Sequence, residues 1–180
     1  SAAPGEIARG ADRDDAVVVD TATPHAGIEG FALGDGDDLL DLRGALRGLS
    51  GEMGEGADIA LGGAGDDTLA GGPGDDVLAG GAGENQLTGG AGRDTFRLGP
   101  DLTLADVVTD YEDPAGPGGG DVIDLTAFGP GPAPGYDATT GTLTIAAAQV
   151  AQVAEAGGGL PAQVEVIFED ASGTAQTAVI

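Results

Sequence analysis

Residues 62–97 read GGAGDDTLA-GGPGDDVLA-GGAGENQLT-GGAGRDTFR, which is one nonapeptide pattern written four times without a gap. A weaker copy, MGEGADIAL, occupies residues 53–61 and joins the series in register. A further copy, LGDGDDLLD, lies at 33–41 and is separated from the others by the eleven residues 42–52. Tandem units of one short length predict a solenoid, in which each unit packs only on its neighbours.

Each nonapeptide divides into a six-residue turn and a three-residue strand whose middle residue is apolar. A stretch rich in Gly and Asp can also be a solvated linker. Random low complexity, however, would not keep an apolar residue at the eighth position through four successive units. We therefore expect an all-β fold whose narrow core is filled by these residues: Leu40, Leu69, Leu78, Leu87 and Phe96.

The turns supply the oxygen ligands that a hard cation prefers. Glycine permits positive φ angles and close stacking of successive turns, which exposes carbonyl oxygens, and the sixth position adds a carboxylate. Calcium takes about six to eight such oxygens, whereas zinc prefers Cys and His. The chain has no Cys and one His. The acids at the fifth position are as consistent with solvent exposure as with a metal contact: Asp37, Asp66, Asp75 and Glu84.

The composition also indicates a bound cation. The chain has 31 Asp and Glu against six Arg, a formal net charge of −25, and only 3% aromatic residues. Self-repulsion on this scale and a small apolar core both oppose folding unless cations contribute. Nucleic acid is excluded as a partner because phosphate binding requires clustered basic residues. The absence of Cys excludes disulfides and thiol catalysis, and no apolar run is long enough for a transmembrane helix.

The gap-free pattern Gly-Gly-x-Gly-x-Asp-x-apolar-x from 62 to 97 resembles the repeats-in-toxin (RTX) calcium-binding nonapeptide proteins. The resemblance implies a right-handed parallel β-roll, a calcium-binding solenoid with flanking capping strands, in which two nonapeptides make one turn. Calcium ions (Ca²⁺) would then lie between turns that are two units apart. The implied pairs are 53–58 with 71–76, 62–67 with 80–85, and 71–76 with 89–94.

The resemblance also assigns ligands to this chain. Asn85 replaces the Asp of the pattern, so we expect the site between 62–67 and 80–85 to be weaker, and Ala60 predicts a less well packed first turn. The implied side-chain ligands are Asp38, Asp58, Asp67, Asp76, Asn85 and Asp94. The implied carbonyl ligands lie near Gly54, Gly56, Gly63, Gly65, Gly72, Gly74, Gly81, Gly83, Gly90 and Gly92.

The segments that flank the repeats divide the chain into four regions. Residues 1–32 are predicted to be lead-in strands, 33–97 the β-roll, 98–128 a roll-closing segment, and 129–180 capping strands with a secretion signal. We expect strands at 16–20, 27–32, 106–111, 121–128, 142–145 and 164–168, and a short helix within 146–156. The closing segment resembles that of serralysin-like proteins, where acids help to hold the last ion. Asp110 and Asp121 are therefore second-rank ligands or ordinary surface acids, and His25 is expected to be incidental.

The function implied by the resemblance is a calcium-binding module that folds on extracellular calcium. It would be the C-terminal secretion and folding domain of a bacterial protein, recognised by a type I (ABC) exporter and located outside the cell or at its surface. The alternative is a structural spacer of a surface-layer or biofilm adhesin. The chain lacks His-Glu-x-x-His and Gly-x-Ser-x-Gly, so we expect no catalysis here and leave any enzymatic role to another domain of a longer parent.

Overall fold

The computed structural model describes residues 6–19, 28–99, 106–114, 120–145 and 148–180. His25, the outer ends of the strands expected at 16–20 and 27–32, and part of the expected helix lie outside these residues. Within the described ranges the only helical element is a 3₁₀ turn at Thr126–Phe128. No helix in this part of the chain is long and apolar enough to cross a membrane.

In the described ranges, seventeen strands make up the rest of the regular structure. They are β1 (Glu6–Arg9), β2 (Ala16–Val18), β3 (Ile28–Asp35), β4 (Leu39–Asp41), β5 (Ser50–Glu55), β6 (Ile59–Leu61), β7 (Thr68–Pro73), β8 (Val77–Ala79), β9 (Gln86–Ala91), β10 (Thr95–Arg97), β11 (Asp106–Val108), β12 (Val122–Asp124), β13 (Gly135–Asp137), β14 (Thr142–Ile145), β15 (Ala148–Val153), β16 (Glu165–Glu169) and β17 (Ala175–Val179).

The first twelve strands alternate between two parallel sheets, so that each odd–even pair forms one coil of a roll. Strands β1, β3, β5, β7, β9 and β11 are neighbours in one sheet, and β2, β4, β6, β8, β10 and β12 in the other. Within the repeats, Thr68 pairs with Gln86 and Val77 with Thr95, an offset of two nonapeptides. The structure thus confirms the predicted all-β parallel roll with two nonapeptides per coil.

The core is a narrow column between the two sheets. All five apolar residues predicted from the eighth position are fully buried. The coil formed by β5 and β6 has small residues at two of its inward positions, Gly51 and Ala60. Met53 is fully buried in the same coil, and the Leu40 and Leu69 side chains close over Gly51. Ala60 is itself fully buried, and the less well packed first turn stays a prediction.

The interruption at residues 42–52 forms a coil half of its own. Leu42 N–H donates to the Leu61 carbonyl (2.7 Å), Ala64 N–H to the Ala45 carbonyl (3.0 Å), and Thr68 N–H to the Leu49 carbonyl (2.9 Å). The eleven residues therefore occupy the place of one nonapeptide and leave the register of the neighbouring coils unchanged.

The C-terminal region continues both sheets of the roll. Strand β15 pairs in parallel with β11, and β16 pairs in parallel with β12. Strands β14 and β13 then extend the first sheet, and β17 the second, in antiparallel fashion. The helix expected within 146–156 is therefore wrong: Ala151 and Val153 are buried at alternate positions, and pairing with β11 overrides the helix preference of an alanine-rich run.

Candidate metal-binding turns

The turns of the roll form two rows, one along each side. The first row joins odd strands to the following even strands and comprises residues 10–15, 33–38, 53–58, 71–76 and 89–94, together with the described residues 109–114 and 120–121 between β11 and β12. The second row joins even strands to odd strands and comprises residues 42–49, 62–67 and 80–85, with Asp106 stacked on Asn85 at its end. Each predicted pair of turns is stacked within one row, so the structure brings the partners of all three predicted sites together.

A continuous ladder of carboxylates runs along the first row. In each step, a backbone N–H at the sixth position of one turn donates to Oδ1 of the acid in the next turn. The donor–acceptor distances lie between 2.7 and 2.9 Å. In chain order the rungs are Asp15, Asp38, Asp58, Asp76, Asp94 and Asp121.

The second oxygen of the inner rungs has no protein partner. Oδ2 is buried without a hydrogen bond in Asp38, Asp58, Asp76 and Asp94. These side chains are 0–3% exposed. An ionised carboxylate in this position loses its hydration without receiving a replacement, which is costly unless a cation or a proton supplies it.

Burial shifts the acidities of the ladder upward. Desolvation raises the pKa of Asp76 to about 6 and the pKa of Asp94 and of Asp121 to about 7. Neighbouring carboxylates also contribute to the rise of these pKa values, while backbone hydrogen bonds oppose it. The pKa values of Asp38, Asp58 and Asp67 are also raised, chiefly by burial. The buried carboxylates of the folded chain therefore favour the binding of a proton or of a metal ion.

Glycine is required where successive turns of the first row stack. A Cβ atom at Gly74, whose φ is +147°, would overlap the carbonyl oxygen of Gly56. The same contact recurs one coil further on, where a Cβ atom at Gly92 would overlap the Gly74 carbonyl oxygen. The predicted carbonyl ligands thus face the next turn of their row, and a side chain would occupy the space between turns.

The second row is arranged differently, although its acids lie at the same repeat position. Asp67 Oδ1 accepts from Leu49 N–H (2.7 Å) and Oδ2 from Gly63 N–H (2.8 Å). Asn85 Oδ1 accepts from Asp67 N–H (2.9 Å), and Asn85 Nδ2 donates to Asp106 Oδ1 (2.8 Å). The Gly63 carbonyl accepts from Ala82 N–H (2.9 Å). Of the predicted carbonyl ligands, Gly63, Gly65, Gly81 and Gly83 belong to this row.

The fifth-position acids lie outside the ladder. Asp37 Oδ1 accepts from Ala57 N–H and Asp75 Oδ1 from Arg93 N–H, both at 2.9 Å. Asp66 Oδ1 accepts from Glu84 N–H at 3.0 Å. These bonds tie a turn to the one that follows it in its row and lie at exposed positions.

The two second-rank candidates occupy different positions. Asp121 is the last rung of the first-row ladder, and its Oδ2 accepts from Glu112 N–H (2.7 Å). Asp110 is not a rung: its two oxygens accept from Gly89 N–H and Gly90 N–H, both at 2.9 Å. The Asp110 side chain therefore caps backbone N–H groups of the last nonapeptide, and the role of Asp110 as a calcium ligand stays a prediction.

Sequence reasoning missed one end residue of each row, Asp15 in the first row and Asp106 in the second. Asp15 occupies the sixth position of GADRDDAVV at residues 10–18, a degenerate unit with Arg13 where the pattern has its third glycine. Its Asp-x-apolar ending, Asp15-Ala16-Val17, was the available signal. Asp106 has no glycine turn before it, so only its stacking on Asn85 identifies it.

The donor set fits calcium. The described residues contain no group of three or more His, Cys, Asp or Glu side chains that could hold a metal ion. The carboxylates are instead spaced one per turn, with glycine carbonyls aimed at the space between turns. Such a site must draw most of its ligands from the backbone, and hard carboxylate and carbonyl oxygens are what calcium prefers. The four unpartnered Oδ2 atoms show where positive charge is needed.

Comparison with known proteins agrees with this chemistry. A family model described as the RTX calcium-binding nonapeptide repeat (four copies) matches residues 54–87 and 70–101. A comparison with curated proteins gave no match. The matched residues include the turns 71–76, 80–85 and 89–94, and repeats of this kind bind calcium ions in a β-roll.

Proposed function

We propose that this chain, an RTX β-roll protein that binds calcium, is a folding switch that leaves a bacterial cell unfolded and folds on calcium outside it. The observation that carries the proposal is the set of four buried carboxylate oxygens without a protein partner. A buried unsatisfied polar group costs about 1–3 kcal/mol, and more when it is charged. Four of them cost roughly 4–12 kcal/mol, as much as the whole stability of an ordinary domain.

Calcium reverses this balance because it binds the folded roll and not the open chain. An ion at a hundred times its dissociation constant stabilises the folded state by about 2.7 kcal/mol per site. Sites that share turns respond together, since each inner turn contacts two others. The net charge of −25 keeps the metal-free chain expanded at the low calcium of the cytosol. Extracellular modules of this kind work with dissociation constants of about 10⁻⁴ to 10⁻³ M.

The C-terminal region fits the proposed export step. Residues 136–180 are the proposed signal for a type I exporter, and in the folded state they supply strands β14 to β17 of the two sheets. An exporter would therefore meet this segment as an open chain only before the roll folds. With one His and no Cys, these 180 residues serve as a folding module rather than as an enzyme.

The experiment that tests the switch is a calcium titration followed by far-UV circular dichroism. The chain is titrated from EDTA to about 10 mM calcium, beyond the range of extracellular affinities, with magnesium as the control. We expect a cooperative transition from coil to β-structure that magnesium does not produce. A chain that is fully β-structured in EDTA would refute the switch and favour a static spacer.

Export is tested separately in cells that contain a type I exporter. We expect the full chain to reach the medium and a chain that lacks residues 136–180 to remain inside. Equal export of both chains would refute the assignment of the signal but would leave the calcium switch intact.

A further inference from the structure

The two rows of turns differ in whether their buried acids need a cation. Among the described residues, the four buried side-chain oxygens without a partner all lie in the first row. In the second row, both oxygens of Asp67 accept backbone N–H groups. Among these residues, buried carboxylate oxygens that need a cation therefore lie in the first row and not at Asp67 of the second.

Asn85 has a specific part in this difference. A Cβ atom built at Gly71 or Gly89 would touch the unpartnered Oδ2 of Asp76 or Asp94, whereas a Cβ atom built at Gly80 would touch Asn85 Nδ2. The amide nitrogen thus lies at the position that a carboxylate oxygen occupies in the first row.

From that position the Asn85 amide supplies what an ion would supply elsewhere. Nδ2 donates to Asp106 Oδ1 at 2.8 Å, and the same oxygen accepts from Asn85 N–H at 3.2 Å. An N–H donor carries partial positive charge, so it satisfies Oδ1 of Asp106 and repels a cation. The hydrogen bond closes the step between turn 80–85 and Asp106 without metal.

The other end of the second row also lacks a ligand. The residue that stacks on Asp67 from the preceding coil is Leu49, which offers its backbone N–H and no side-chain oxygen. In the stack formed by Leu49, Asp67 and Asn85, Asp67 is therefore the one residue with a carboxylate. In the first row, by contrast, every inner rung has a carboxylate on both sides.

We propose that calcium binds along the first row only, and that hydrogen bonds through Asn85 close the second row without it. The first-row sites extend to turn 33–38, which lies N-terminal to the matched repeats, because Asp38 has the same unpartnered oxygen as Asp76. The site predicted between 62–67 and 80–85 is then not merely weaker but absent. This inference rests on the calcium-driven folding proposed above.

The test compares Asp76→Asn with Asp67→Asn, a matched pair at the same repeat position in the two rows. Ions are counted by native mass spectrometry on the compact charge states only, so that a partly unfolded sample does not distort the count. The calcium midpoint is measured by circular dichroism. We expect Asp76→Asn to lose at least one ion and to raise the midpoint at least about tenfold, since even indirect partners of a metal cost about 10–100-fold in affinity. Asp67→Asn should keep the full count.

The reverse substitution, Asn85→Asp, guards against a variant that fails to fold. It replaces the donor beside Asp106 with an acceptor and creates the need for a cation, so the compact chain should gain one ion. Loss of an ion in Asp67→Asn, or an unchanged count in Asn85→Asp, would overturn the one-sided assignment. If the unaltered chain showed no calcium-induced folding, the proposed function itself would fail, and that outcome is distinguishable from either of these.

Discussion

Replacing Gly74 with alanine tests whether close stacking of the first-row turns is what makes the roll depend on glycine. The backbone φ of +147° at this position is almost restricted to glycine, and forcing another residue into such a conformation costs about 1–3 kcal/mol. The added methyl group would also overlap the Gly56 carbonyl oxygen, and the overpacking costs about another 1–3 kcal/mol. The total is about 4 kcal/mol at the middle of these ranges.

The control is Gly157→Ala. Gly157 also has a positive φ, +86°, but a Cβ atom there would meet nothing within 4 Å. This substitution isolates the backbone strain of a positive φ, about 1 kcal/mol, from the overlap between turns. The two variants add the same side chain, so they do not differ in charge or hydrophobicity.

The assay is the calcium midpoint of the folding transition followed by circular dichroism. With about three ions taken up together, the folded state gains about 4.2 kcal/mol for each tenfold rise in calcium. Gly74→Ala should therefore raise the midpoint about ninefold, and Gly157→Ala about twofold. Equal midpoints for the two variants would refute the argument that the turns stack too closely to admit a side chain.

Three further predictions concern the core, the closing segment and acidity. Leu78→Ala removes a fully buried side chain and should lower the free energy of unfolding in saturating calcium by about 2–5 kcal/mol, as measured with denaturant. Tyr111→Phe should cost about 1–3 kcal/mol in the same assay, because the hydroxyl group accepts from Glu165 N–H (2.7 Å) and donates to a buried carbonyl. In EDTA, protons should stabilise the folded chain in place of calcium. Burial raises the pKa of Asp76 to about 6 and that of Asp94 to about 7, from 3.8. The folded chain thus binds protons that the unfolded chain releases, and this stabilisation is full below pH 3.8 and lost as the pH rises through 6 to 7. Circular dichroism in EDTA should show more β-structure at pH 5 than at pH 8, and a pH-independent spectrum would contradict the argument.

The regular part of the roll could be predicted because its sequence repeats the structural unit. An apolar residue every ninth position fixes which side chains enter the core, and all five that were predicted are buried. The offset of two units between stacked turns follows from the same pattern once the roll is assumed. The sixth-position acids were identifiable because glycines bracket them in each repeat.

The ends of the second row could not be predicted because stacking, rather than local sequence, selects their residues. Asp106 is the first residue of a strand and has no glycine turn before it, yet it accepts from the Asn85 backbone and side chain. Leu49 takes the place of an acid within an irregular eleven-residue unit. The helix predicted for the alanine-rich run near Ala151 is wrong because this run forms a strand that pairs with β11 on one side and β14 on the other, and that pairing overrides its intrinsic preference.

The first-row ladder persists even where the units that carry it are irregular. Its successive rungs are 23, 20, 18, 18 and 27 residues apart in the chain, although the repeat predicts 18. The hydrogen bond from one rung to the next is therefore kept although the length of chain between rungs varies. Loop closure makes this possible, since each doubling of a loop costs only about 0.6 kcal/mol. A carboxylate that is both bonded to its neighbour and left with a buried unpartnered oxygen combines two roles: its Oδ1 sets the register of the coils, and its Oδ2 makes that register depend on a cation.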